Sequence, residues 1–424
     1  MLTSPACFLP ALQRLSVICI LLMKTCAVQA QVTAPAVPAS YDQLMEQAGA
    51  ALQAKTPCPA VAKFEQAFAP DSLRASVFEL FAAASAAAGC PEKHALAWRW
   101  LGQLNRRRPL PMQPGDLDNI AQDPSLASLH ADAAWPRWLA SLRQTMQAQA
   151  VAAAAARQHW LVETQARALP PPANPAARAA AAPGFALYFS AVPADTVRMP
   201  YLVRVPTGYR PDRPAPVVVY LHGGVVSTKQ FRFADTDETQ EPVFAAAPTD
   251  ALVIYPFGRQ SFVWVTQPAA FAQIEIIVAE VQARYRTDLR RFVLGGMSNG
   301  GSAALWFASQ RPGAFRGFYA LSPAPTLPLG AGYGRLGQGK PCYQISAQDD
   351  DVYSYAAVKA AYEAHHGQAP LWQLQTLAHG GHGFLYAPKG VTQLRSVLAQ
   401  LCTAKSKRQP PPLSEHYPPL QTGF

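Results

Sequence analysis

A serine between glycines, a run of aspartates and a histidine between glycines occur in that order in the C-terminal half of this chain, each just after an apolar run. The serine lies in Gly296-Met297-Ser298-Asn299-Gly300, preceded by Phe292-Val293-Leu294 and followed by Gly301 and a helix-forming stretch from Ser302 to Ser309. A serine hydroxyl is a weak nucleophile; it needs a histidine to take its proton and a carboxylate to orient that histidine. In a strand-to-helix turn the nucleophile sits in a strained backbone conformation, and glycines around it let strand and helix come close. The five-residue pattern alone would arise by chance roughly once in ten chains this rich in glycine. The β-branched run before it and the helical spacing after it separate it from an ordinary surface turn.

The carboxylate and the base are sought on loops that follow later strands. After the strand Cys342 to Ser346 comes Ala347-Gln348-Asp349-Asp350-Asp351, and after the strand ending at Leu377 comes Ala378-His379-Gly380-Gly381-His382-Gly383-Phe384. His382 is favoured over His379 as the base because glycines on both sides allow the tight loop that carries its ring toward Ser298. Asp350 is favoured as the acid, with Asp349 second and Asp351 third. Acyl chemistry also needs N–H donors aimed at the developing oxyanion. The strand Val217 to Leu221 runs into His222-Gly223-Gly224, which offers Gly224 as one donor, with the N–H of Asn299 as the other; His222 reads as structural. Trp264 and Phe262 either line an acyl or aryl pocket, Trp264 as a substrate-binding residue, or pack in the core.

These loops need a scaffold of alternating strands and helices. Strands are expected at Ala186 to Phe189, Tyr201 to Val205, Val217 to Leu221, Leu252 to Tyr255, Phe292 to Leu294, Gly317 to Leu321, Tyr343 to Ile345 and Leu371 to Leu377, the first two as an antiparallel pair. Helices fall at Ala270 to Tyr285, Ser302 to Arg311, Ser354 to His365 and Val391 to Leu401. The pattern predicts an α/β fold, a mainly parallel sheet with helices on both faces, over 185–404. Residues 41–165 read as a small all-helical domain: Asp71 caps a helix with Leu73, Val77, Leu80 and Phe81 on one face, and a second helix carries Leu96, Trp100, Leu101 and Leu104. Trp98, Trp100, Trp135 and Trp138 read as core packing. Residues 166–184, rich in Pro and Ala, read as an exposed semi-rigid linker, and 405–424 as a disordered tail.

The segments Val217 to Val225, Tyr285 to Arg291, Gly296 to Gly301 and His379 to Gly383 together resemble the α/β-hydrolase superfamily. Within it they are most similar to exported esterases of the polyhydroxybutyrate depolymerase and feruloyl esterase group and to prolyl-oligopeptidase-like hydrolases. The resemblance implies the α/β-hydrolase fold, a Ser-His-Asp triad and hydrolysis without a cofactor; it covers most of 185–402 and none of the helical part. Relatives often carry Gly before the acid loop and Pro after it, where this chain has Ala347 and Ser354, so the choice among the aspartates stays open. The helical part resembles tetratricopeptide-type hairpins but lacks a clean 34-residue period, and a small helical bundle fits equally. The leading expectation is an exported serine hydrolase cleaving carboxylic esters, small or polymeric. The alternatives are a serine peptidase using the same machinery, or a silent binding protein whose helical domain recognises a protein or polymer.

Arg14, the apolar run Leu15 to Met23 and Val28-Gln29-Ala30 read as a signal peptide over 1–30, which places the mature chain outside the cytoplasm, secreted or periplasmic. That run is too short to span a bilayer, which takes about 20 residues. Loss of Arg14 and Lys24 lowers the formal charge from +10 to +8. The basic residues are dispersed, which excludes a nucleic-acid footprint. Cys58, Cys90, Cys342 and Cys402 remain, and pairing within each domain gives Cys58 with Cys90 and Cys342 with Cys402. Their spacing does not suit a zinc site, and no metal is expected.

Overall fold

The computed structural model describes residues 39–403 except 71–73, 109, 113–115, 175–176, 192–197, 225–235, 259–263, 266–267, 314, 337–338 and 388. The signal peptide, Asp71, Leu73, Phe262 and the C-terminal tail therefore lie outside the described residues. The chain divides into two compact units, 1–155 and 156–424.

The first unit is built of helices α1 (Tyr41–Gln53), α2 (Pro57–Phe68), α3 (Val77–Ala88), α4 (His94–Leu104), α5 (Asp116–Ala121), α6 (Ala127–His130) and the first part of α7 (Ala134–Ala166). The cap of α3 is Ser76, whose hydroxyl accepts from the Glu79 N–H while the Glu79 carboxylate accepts from the Ser76 N–H. This reciprocal capping box starts the helix at Val77, later than the Asp71 reading placed it. Val77, Leu80 and Phe81 face the core with Trp100, Leu101 and Leu104 of α4, and Trp135 and Trp138 complete it. A disulfide joins Cys58 at the start of α2 to Cys90 just after α3, with Cα atoms 5.2 Å apart.

The second unit is an eight-stranded sheet in the order β1-β2-β4-β3-β5-β6-β7-β8. The strands are β1 (Gly184–Phe189), β2 (Pro200–Val205), β3 (Ala215–Leu221), β4 (Leu252–Pro256), β5 (Thr287–Met297), β6 (Gly317–Leu321), β7 (Cys342–Ala347) and β8 (Trp372–Leu377). β1 and β2 pair antiparallel, β2 runs antiparallel to β4, and every later pairing is parallel. The helices are α8 (Pro242–Ala246), α9 (Pro268–Arg284), α10 (Asn299–Gln310), α11 (Tyr355–His365) and α12 (Gly390–Thr403). Strand side chains alternate between two apolar layers. Val217, Val219 and Leu221 pack with α9 and α10 on one face, while Val218 and Tyr220 pack with α8 and α12 on the other.

That alternation corrects the second disulfide. Cys342 belongs to the layer of α9 and α10 and Cys402 to the layer of α12, so the sheet stands between them; both are buried free thiols. Burial pushes each thiol up to about 12, leaving two inert, thiol-bearing core residues.

The segment expected as an exposed spacer also departs from its reading. Ala168, Leu169 and Ala181 pack against the second unit's core. The Leu169 N–H donates to the Tyr188 hydroxyl at 3.0 Å, its carbonyl accepts from Arg284 Nε at 3.1 Å, and Arg178 donates to the Gln282 carbonyl at 2.8 Å. Prolines pre-extend this stretch, but its alanines and leucine carry apolar surface that the unit can cover.

Candidate active site

The parallel register aligns the carboxyl ends of five strands: Leu221 pairs with Gly296, Met297 with Leu321, Leu321 with Ile345, and Ala347 with Leu377. All the loops singled out in the sequence leave the sheet at this one edge, where open α/β sheets bind ligands.

Ser298 occupies the turn from β5 into α10 with φ 52° and ψ −117°, a region costly for any residue but glycine. Its N–H donates to the Leu321 carbonyl at 2.7 Å, which fixes the turn against β6. The neighbouring glycines are required by space. A Cβ on Gly300 would fall 2.0 Å from the Leu221 carbonyl oxygen, and one on Gly296 would fall 2.3 Å from the same oxygen. A Cβ on Gly223 would sit 3.4 Å from that of Ser298, so the turn after β3 passes directly beside the serine.

His382 Nε2 lies 2.9 Å from Ser298 Oγ, and His382 Nδ1 lies 3.0 and 3.1 Å from the two oxygens of Asp350. An ionised carboxylate can only accept, so Nδ1 carries the proton and Nε2 is left to accept from the serine hydroxyl. The Asp350 side chain is 3% exposed and that of His382 17%. Asp350 Oδ1 also accepts from the N–H groups of Val352 and Tyr353 at 2.9 and 2.8 Å, and the Tyr353 ring meets the imidazole edge-on at 5.2 Å. Shielded and oriented in this way, the three groups form a line along which a proton can leave the serine and the resulting imidazolium is stabilised.

The remaining members of the two loops have other partners. Asp349 accepts from the Gly380 and Gly381 N–H groups at 3.2 and 2.8 Å. Burial pushes its carboxyl up, but the Gly381 and Gly380 N–H groups outweigh this and hold it below the usual carboxylate range. His379 is exposed, 3.6 Å from Asp349, and Asp351 is exposed. Gly380 and Gly381 take φ values of 141° and 61°, a left-handed path that favours glycine and turns the loop toward the serine.

Gly224 ends the β3 turn with φ 104°. Asn299, as the first residue of α10, has an N–H without a carbonyl one turn earlier in its own helix, which suits it to an oxyanion. Behind these donors, His222 is 2% exposed and accepts at Nε2 from the Gly258 N–H at 2.7 Å. Trp264 does not line an open pocket. It is fully buried, its indole N–H donates to the His222 carbonyl at 3.0 Å and its backbone N–H to Asn299 Oδ1 at 2.8 Å. Through its indole and its backbone N–H, Trp264 thus ties the β3 turn to the residue after the serine. Sequence reasoning missed Ser322, whose hydroxyl donates to the His382 carbonyl at 2.9 Å; its only signal is a polar residue directly after the buried run of β6.

Residues 196–381 match the sequence model of the Esterase family. A search of curated proteins finds no match. Solved structures similar to the chain include a thermostable esterase, 20% identical over 51% of this chain and 62% of that one with a TM-score of 0.40. A propionate-bound thermophilic esterase of Thermogutta terrifontis is 15% identical over 53% of this chain and 97% of that one, TM-score 0.41. The acylaminoacyl peptidase of Pyrococcus horikoshii is 13% identical over 53% of this chain and 43% of that one, TM-score 0.42. The chain thus spans under two thirds of the length of the first and third of these relatives. Among the described residues no helix is long and apolar enough to cross a membrane. The second unit is thus a mostly parallel eight-stranded sheet flanked by helices, and its segment 196–381 is similar to the Esterase family.

Proposed function

We propose that the chain is an exported serine hydrolase that cleaves carboxylic esters through an acyl-enzyme intermediate. The observation that carries this reading is the hydrogen-bonded line from Ser298 Oγ through His382 to Asp350. Ser298 Oγ attacks the ester carbonyl as His382 Nε2 takes its proton, and Asp350 stabilises the imidazolium. The N–H groups of Gly224 and Asn299 receive the oxyanion, a contribution of about 3–4 kcal/mol per donor. His382 returns the proton to the leaving alcohol; water, deprotonated by the same imidazole, then releases the acid and restores Ser298. The match to the Esterase family supports the ester as the substrate class, and the Cys58–Cys90 bond supports folding in an oxidising compartment.

The test is a panel of p-nitrophenyl esters of graded acyl length beside peptide amides, with localisation of the tagged chain in its own cells. Turnover of esters well above amides, and recovery outside the cytoplasm without residues 1–30, are expected. Amide cleavage at the higher kcat/KM would make the chain a peptidase, and cytoplasmic retention would remove the export.

A further inference from the structure

Four described non-glycine residues have a positive φ: Lys55, Ser298, Ser322 and Leu329. A strained backbone persists only where its surroundings hold it. Ser298 is the proposed nucleophile; Ser322, fully buried at the end of β6 with φ 43°, has no part in the chemistry above. Its N–H donates to the Ile345 carbonyl at 2.8 Å, which seats it on β7. Its hydroxyl points to the loop after β8 and donates to the carbonyl of His382 itself at 2.9 Å. On the same loop, the Asp349 carboxylate takes the Gly380 and Gly381 N–H groups. The histidine-bearing peptide is thus gripped by one residue after β6 and one after β7. The loop needs such a grip, because two consecutive glycines with positive φ precede His382 and impose little conformational restraint.

Resting on the triad reading, we propose that Ser322 and Asp349 are positioning residues that clamp the backbone around His382 and so set the distance from its ring to Ser298. The nearby acid run then divides its work: Asp350 orients the imidazole, and Asp349 orients the peptide that carries it. Both grips are side-chain hydrogen bonds to the loop backbone, so they act whatever ester is bound. Their loss lowers kcat and leaves KM nearly unchanged, since misplacing a catalytic group slows chemistry without touching substrate contacts.

The experiment uses the full chain as wild type, Ser322→Ala, Asp349→Asn and the double variant, assayed on a short p-nitrophenyl ester. The far-downfield proton resonance of His382 Nδ1–H is recorded in the resting proteins. Each single variant is expected to lose about tenfold in kcat with KM within about twofold, and its downfield proton to broaden or shift. The double variant loses less than the product of the single losses, because both grips hold one loop. Ser322→Gly, which relieves the positive φ while still removing the hydroxyl, replaces Ser322→Ala if the latter does not fold; half-exposed Asp349 provides a second test in either case. Wild-type kcat and an unchanged downfield proton in Ser322→Ala (or Ser322→Gly) and Asp349→Asn would overturn the clamp. A wild-type protein that neither hydrolyses esters nor takes up a fluorophosphonate would refute the proposed function instead, and the proton signal would then decide the clamp by itself.

Discussion

Asp350→Asn separates orientation of the base from folding of the loop. The Asp350 carboxylate accepts the Val352 and Tyr353 N–H groups at Oδ1 and faces His382 Nδ1 with both oxygens. An asparagine keeps its carbonyl oxygen on the two backbone donors, which puts its amino group at the position of Oδ2, 3.0 Å from Nδ1. Two donors cannot share that bond, so the imidazole takes the other tautomer, with a bare Nδ1 and Nε2–H turned toward Ser298. The base is then absent although every atom remains near its place. In serine triads this wrong-tautomer state lowers kcat by about 10⁴, which corresponds to about 5.5 kcal/mol of transition-state stabilisation. The fold should lose no more than about 3 kcal/mol, the upper worth of one hydrogen bond to a charged group. Steady-state hydrolysis of a short p-nitrophenyl ester, with urea unfolding of the same samples, reads both quantities. Asp349→Asn should lose about tenfold through its loop, and Asp351→Asn should leave kcat close to wild type. If Asp350→Asn kept more than about 1% of kcat, or lost less than Asp349→Asn, the assignment of the orienting acid would be wrong.

Three further outcomes follow from particular contacts. His382→Ala should abolish turnover and His379→Ala should cost only a few-fold, since the exposed His379 reaches Asp349 but not the serine; the reverse ranking in the same ester assay moves the base to His379. Gly300→Ala places a methyl 2.0 Å from the backbone oxygen of Leu221 and should cost at least about 3 kcal/mol, at the upper end of core overpacking; denaturant unfolding indistinguishable from the parent would contradict the tight turn. Burial, with the charge of Glu238 adding to it and the Tyr386 hydroxyl offsetting part, raises the Glu241 carboxyl from 4.5 to about 7. Between those values the folded chain holds a proton that the unfolded chain has released, so this group's stabilisation is full below the lower value and is lost as pH rises through the upper one. Glu241→Gln should therefore raise Tm relative to the parent above about pH 7 and not below about pH 4.5, and parallel curves of Tm against pH would refute the raised value.

Fold and site were not equally legible in the sequence. Period-2 and buried apolar runs located all eight strands because each is bounded by turn residues. The apolar run Phe292 to Leu294 marks only the middle of β5, which extends over Thr287–Met297. Its charged start is stabilised by Asp288, which bridges Arg290 and Arg291, and its glycine end is held by pairing with β3 and β6. The short α8 carries too few residues for a helical period. The turn at Ser298 was legible because so close an approach of strand and helix requires glycines at fixed positions. The order of the three aspartates was less so: consecutive carboxylates look alike until a loop some thirty residues later supplies an imidazole to one and two N–H groups to another. The Cys342–Cys402 pairing fails because residue type gives burial tendency but not which side of the sheet a side chain faces, and burial tendency alone leaves a loop tryptophan such as Trp264 open between pocket and core.

The central claim is that Ser298 is the activated nucleophile, and covalent labelling tests it most directly. Native protein treated with a fluorophosphonate should gain one adduct by intact mass. Peptide mapping should place it on Ser298, with labelling lost in Ser298→Ala and slowed by several orders of magnitude in His382→Ala, while both variants unfold cooperatively like the parent. An adduct on another residue, or full labelling of Ser298→Ala, would contradict the account.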